Sequence, residues 1–163
     1  MDDVVGRIHE QWRAQRPDQD VSTVGVIGRV VRLTALMNQV NETALADEGL
    51  SRAEFEVLCA LRRVDGGLRP SELTRETLSS GAATTKRLTK LERDGLITRA
   101  TSTRDRREIH VRLTDEGRAL TDRLFPEQLR RERDVLAPLE PDEREQLGDL
   151  LAKVLSSLDG IAR

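Results

Sequence analysis

Apolar residues recur along most of this chain three and four positions apart, the spacing of one helix face, and only one stretch alternates instead. Val4, Val5, Ile8 and Trp12 predict a short first helix, which "RPDQD" (Arg16 to Asp20) interrupts, because a residue before proline is driven out of the helical region. A long helix is expected from about Val21 to Asp47, with Val24, Ile27, Val31 and Leu33 to Met37 apolar and Gly49 as its stop. "SRAE" (Ser51 to Glu54) is a capping box, and it opens a helix expected to bury Phe55, Leu58, Cys59 and Leu61. After the turn "DGG" (Asp65 to Gly67), Pro70 starts a short helix reaching about Leu78. "SSG" (Ser79 to Gly81) separates it from a helix of about Ala82 to Asp94, whose inner face is Thr84, Leu88 and Leu91.

Beyond Gly95 the period changes. "LITRATS" and "EIHVRLT" read as two strands joined by a turn, with Ile109, Val111 and Leu113 on one face and His110 and Arg112 on the other. Thr114 caps a further long helix to about Leu136. Pro138 and Pro141 break the chain before a last helix striped by Leu147, Leu151, Val154 and Leu158, widened by Leu150 and Leu155. This order predicts a mainly α fold: a winged helix-turn-helix with a small β-hairpin wing, carried on long N- and C-terminal helices. The expected divisions are 1–48 for the N-terminal helices, 49–113 for the winged helix-turn-helix and 114–163 for the C-terminal helices.

Composition narrows the reading. At 163 residues the chain has the size of one domain, and with 2% aromatic residues and no tyrosine its core must be aliphatic. No run approaches the roughly 18 apolar residues of a membrane span. The acidic opening lacks an apolar signal core, so the cytoplasm is the expected compartment. Cys59 is the lone cysteine, expected as a small core residue, which excludes an intrachain disulfide. His9 and His110 have no metal-spaced neighbours. No nucleophile–base pair, phosphate loop or metal cluster points to an enzyme, and no cofactor is expected.

The formal net charge of −2 conceals an asymmetry. Between Gly81 and Arg107 eight basic residues face three acids, a local charge of +5, which leaves −7 for the remainder. A basic segment on an acidic body is what phosphate binding needs. The second helix of a helix-turn-helix enters the major groove. Here Ala82, Ala83 and Thr85 permit close approach to base edges, Ser79, Ser80 and Thr84 are candidate donors to phosphate, and Lys86 and Lys90 would lie near the strand backbones. Arg87 sits on the same helix. At the hairpin tip, Arg104, Arg106 and Arg107 surround Asp105, and arginine suits the narrow minor groove. Asp105 either orients Arg107 or serves as a turn residue. The alternative for the whole segment is a solvated face on a helical protein–protein interaction module that binds no DNA.

The stretch "LSSGAATTKRLTKLERDGLITRATSTRDRREIHVRLTDEGRAL" resembles the multiple-antibiotic-resistance regulator (MarR) family of bacterial transcription factors, over nearly the whole chain. The resemblance implies a homodimer joined through both terminal helical regions. Such a dimer binds pseudopalindromic double-stranded DNA, often as a repressor released by a small molecule, and sits on the nucleoid when bound. By motif, Asp105 and Arg107 match the wing's orienting acid and minor-groove arginine. Ser102 stands where an aspartate is usual, and Glu108 where a glycine is usual. "QWRAQRPDQDVSTVGVIGRVVRLTALM" and "EFEVLCALRR" resemble the subfamily with an extra first helix, which includes urate-responsive and PecS-type regulators. That resemblance implies an anionic-effector site of Trp12, Glu56, Arg87 and Arg99, with Thr85 as a polar neighbour. Glu56 carries one methylene more than the subfamily's aspartate, which argues against urate itself. In this reading Arg99 holds Glu56 or the ligand. The alternative makes Trp12 a staple for the first helix and Glu56–Arg87 a structural ion pair.

Overall fold

The structure, a computed structural model, describes residues 3–101 and 109–159. Its elements are α1 (Val4–Gln15), α2 (Ser22–Ala46), α3 (Arg52–Arg62), α4 (Pro70–Glu76), α5 (Gly81–Arg93), β1 (Ile97–Thr101), β2 (Ile109–Leu113), α6 (Asp115–Val135) and α7 (Pro141–Asp159). The predicted order holds throughout.

Local chemistry explains the helix ends. Asp3 caps α1 by accepting from the Gly6 amide at 2.7 Å. Gly49, at φ +66°, stops α2 in the left-handed region that side chains avoid. The capping box of α3 is complete: Ser51 Oγ accepts from the Glu54 amide, and Glu54 accepts from the Ser51 amide at 2.8 Å. Thr114 Oγ1 accepts from the Gly117 amide to open α6. That helix then runs through Pro126 without a break.

Phe55, Val57, Leu58 and Leu61 from α3 meet Leu73, Leu88, Leu91, Ile97 and Val111 in one aliphatic core. Each such fully buried side chain contributes roughly 1.5–3 kcal/mol. The strands pair antiparallel in register from Ile97 opposite Leu113 to Thr101 opposite Ile109. Leu68 adds a bridge that the sequence reading lacked, exchanging backbone hydrogen bonds of 2.8 and 3.0 Å with Val111. Val111 is therefore buried, whereas Ile109, nearer the hairpin tip and beyond the core, is exposed despite sharing its face. Two further expectations change. α4 ends at Glu76 rather than Leu78, and Cys59 lies only half-buried at the rim of the core.

Paired side chains fix the long helices to this unit. Arg123 of α6 grips both Glu48 oxygens at 2.8 and 2.7 Å, and Arg62 of α3 holds Asp122 at 2.7 and 3.2 Å. Arg29 on α2 binds Asp3 through Nε and Nη2. By contrast, the predicted stripe of α7 is left open, from 37% exposed at Leu147 to 59% at Leu155. Val26, Ile27, Val31 and Leu36 of α2 are exposed as well.

Candidate nucleic-acid interface

The helix-turn-helix is built from α4, a turn and α5. Ser80 is the N-cap of α5, its oxygen accepting from the Ala83 amide at 3.2 Å, and its hydroxyl lies at the surface. Thr84, Leu88 and Leu91 face inward as the period requires. Ala82, Thr85, Lys86, Thr89 and Arg93 are then exposed, while Ala83 and Arg87 are half-buried. Lys86 and Arg87 form no hydrogen bond or ion pair with another described residue. They are uncommitted cations on a small-residue surface, which suits a phosphate-lined groove.

Three of the expected DNA contacts are engaged within the chain itself. Thr84 is 1% exposed, and its hydroxyl lies 2.9 Å from that of Thr74 and 2.7 Å from that of Ser79, which in turn lies 3.0 Å from Thr77. Thr84 and the half-buried Ser79 thus belong to a hydroxyl chain inside the turn, because a threonine on the inner face must be satisfied there. Lys90 is also committed. Its ammonium donates to the Gly49 carbonyl at 2.8 Å and lies 3.2 Å from Glu54 and 3.0 Å from Asp94. The sequence offered a clue in the four-residue spacing of Lys90 and Asp94, but none to Gly49.

Leu78, in the turn, adopts φ +47° and is 94% exposed, an unusual combination for a bulky residue that the sequence reading missed. The wing strands leave α5 as a two-stranded arm. Arg104, Asp105, Arg106 and Arg107, with Ser102 and Glu108, lie outside the described residues.

The expected effector quartet is not assembled in this chain. Trp12 stands half-exposed on α1, which packs on α2. Glu56 pairs with Arg52 at 2.9 Å, one turn earlier on the same helix, where no loop has to be closed to bring the charges together. Arg99 of β1 lies 3.2 Å from Glu92 and donates to Thr89 Oγ1 at 3.1 Å. Neither Glu56–Arg87 nor Glu56–Arg99 forms. Thr85 turns its hydroxyl back to the Gly81 carbonyl at 2.8 Å. Glu56 instead opens onto a cleft of about 280 Å³ with Cys59, Arg63, Glu76 and Leu78. There burial pushes the Cys59 thiol up to about 11, against the nearby Arg63 cation, so the neutral thiol dominates near pH 7.

An exposed second helix, a hairpin arm beside it and a frame of long helices with open apolar faces define a winged helix-turn-helix regulator of transcription. The chain belongs to the MarR family, whose family model matches residues 48–108. It is 36% identical over 152 residues to the transcriptional regulator PecS of Dickeya dadantii, covering 92% of each protein. The Staphylococcus aureus MepR–DNA complex shares the fold with a TM-score of 0.74 at 24% identity, over 80% of this chain and 96% of MepR. Bordetella bronchiseptica BpsR, whose DNA binding is regulated by 6-hydroxynicotinic acid, gives a TM-score of 0.70 at 27% identity, over 78% and 91% of the two chains. None of the helices among the described residues is long and apolar enough to cross a membrane.

Proposed function

We propose that this protein is a homodimeric, sequence-specific repressor that reads a pseudopalindromic operator and is released by a small anionic or aromatic effector. The observation that carries the reading is the outward face of α5, where Ala82, Thr85 and Lys86 are exposed beside the uncommitted Arg87. Small residues at the start of this helix let it approach base edges in the major groove, and the cations beside them suit the flanking phosphates. In this reading Arg107 of the hairpin tip enters the minor groove, with Asp105 orienting it. The open apolar faces of α2 and α7 are covered by a second copy, since stripes of this extent rarely stay in water. Pairing through the terminal helices would set two α5 helices about one DNA turn apart, roughly 34–36 Å. The regulation of BpsR by an aromatic acid supports the effector class.

The test is a gel shift on the DNA upstream of the protein's own gene, with sedimentation of the free protein. A dimer is expected, binding with log affinity that falls linearly against log salt. Arg107→Ala weakens binding at least about tenfold in a folded dimer, as loss of a minor-groove arginine should. Replacing Leu151 and Leu155 together by Glu yields monomer and abolishes tight binding. A wild-type chain that sediments as a monomer, or binds all duplexes alike, would falsify the reading.

A further inference from the structure

We propose that Lys90 is a positioning residue for DNA recognition: its ammonium ties the end of α2 to α5 and so sets the angle at which the reading helix is presented. The inference rests on the DNA-binding reading above and deepens it.

Saturation of the ammonium is the first ground. A lysine has three N–H donors, and three acceptors surround Nζ: Gly49 O at 2.8 Å, Asp94 Oδ2 at 3.0 Å and Glu54 Oε2 at 3.2 Å. No proton is left for a phosphate oxygen unless one of these is given up. Glu54 makes that expensive, because it is only 8% exposed and the same oxygen already accepts from the Ser51 amide. Taking Lys90 away would leave a largely buried carboxylate with a backbone amide as its remaining partner. Burial works against the charge on Lys90, yet the hydrogen bonds to Asp94 and Glu54 outweigh it and raise its pKa, so the clamp stays charged across the working range.

What the ammonium joins is the second ground. Gly49 is the residue that stops α2, Glu54 belongs to the capping box that starts α3, and Asp94 is the C-cap of α5. One side chain of α5 therefore touches the end of a long frame helix, the start of the core helix and its own terminus. The adjoining Glu48 is held by the two hydrogen bonds of Arg123 on α6. With residue 49 tied to α5 and residue 48 tied to α6, a tilt of α5 relative to the end of α2 works against these charged contacts. In a dimer joined through α2, that tilt determines the separation of the two reading helices, so the clamp acts on half-site spacing.

The experiment compares wild type, Lys90→Met, Glu54→Gln, the double variant and Lys86→Met as full-length dimers. Each is titrated on operator duplexes whose half-sites are moved by one base pair in either direction, at several salt concentrations. Lys90→Met is expected to lose about tenfold at the native spacing, to discriminate less between spacings, and to keep the wild-type salt slope. Glu54→Gln, which can still cap α3, moves the same way, and the double variant is no worse than the stronger single one. Lys86→Met flattens the salt slope by about one, as loss of a phosphate contact should. The inference falls if Lys90→Met flattens the slope similarly, if Glu54→Gln tightens binding by freeing the ammonium, or if both retain wild-type affinity and spacing preference. Should circular dichroism show Lys90→Met unfolded, Glu54→Gln decides alone. A wild-type protein that binds no duplex takes down the functional reading together with this inference, which distinguishes that failure from the others.

Discussion

The hydroxyl oxygens of Ser79 and Thr84 lie 2.7 Å apart and close the turn of the helix-turn-helix from within. Thr84 is buried, so its hydroxyl is satisfied inside the motif. Thr84→Val keeps the shape but removes the hydroxyl shared by Ser79 and Thr74, which retain Thr77 and the Pro70 carbonyl as partners. Loss of such hydrogen bonds costs about 0.5–1.5 kcal/mol each, and thermal denaturation should show a correspondingly lowered Tm. The folded fraction should bind operator with unchanged affinity. Weakened binding by a folded variant would mean that Thr84 meets phosphate after all.

How far the sequence reaches can be judged from these same elements. The capping box of Ser51 and Glu54 and the inward triplet Thr84, Leu88 and Leu91 were legible because each is a local rule acting within a turn or two of helix. The wing strands were legible because period two is equally local. The contact of Lys90 with Gly49 was not legible for the opposite reason: the two lie 41 residues apart, and no spacing rule reports a contact made by tertiary packing. Glu56 shows the competition directly. The motif match offered it Arg99, and the alternative an ion pair with Arg87, but Arg52 at four residues' distance on the same helix takes the carboxylate first. The bridge of Leu68 to Val111 was invisible because a single residue pair carries no periodicity.

Gly117 marks a close approach between α6 and the residue that precedes β1. A Cβ placed there would collide with the carbonyl oxygen of Leu96, which also accepts from the Thr114 amide at 3.1 Å. The obstacle is backbone, so it cannot swing aside as a side chain would. Gly117→Ala is therefore expected to destabilise the protein by about 3 kcal/mol, the upper part of the usual overpacking range, despite alanine's better helix propensity. Urea denaturation followed by circular dichroism measures this. A variant as stable as wild type would show that α6 can withdraw from Leu96 at little cost.

Acid should loosen the joints between frame and core before it dissolves the core itself. The Arg123 hydrogen bonds hold Glu48 below the usual carboxylate range, and Arg62 does the same for Asp122. A carboxylate whose folded pKa is depressed adds stability that is fully present above its unfolded value. That stability drains away as pH falls through the folded value. The loss therefore begins below about pH 4. Both sites are solvent-accessible, so each effect is modest and weakens with salt. Denaturation midpoints taken from pH 7 to pH 2.5 should decline in that window. Glu48→Gln, having lost one of the two groups, should decline less steeply. A variant whose acid profile overlays that of wild type would show that the Glu48–Arg123 joint contributes nothing to the pH dependence.

Trp12, the chain's lone tryptophan, stands 51% exposed on α1, and Arg87 is uncommitted among the described residues, so the two proposed effector contacts have separate signals. A planar anion stacked on Trp12 changes its emission. The same anion bound by the Arg87 guanidinium acts on the reading helix itself. Binding shifts the population toward a DNA-incompetent arrangement only if the ligand prefers that arrangement, which a bridge from α1 to α5 would supply. Titration with benzoate, a planar aromatic anion, is expected to quench the emission saturably and to lower operator affinity by about tenfold, within the usual range of coupling between sites. Trp12→Phe loses the optical signal and weakens the response to ligand. Arg87→Ala keeps the tryptophan but no longer releases DNA on adding the anion. If Arg87→Ala releases DNA as readily as wild type, the effector acts elsewhere, and the cleft beside Glu56 and Arg63 becomes the site to probe next.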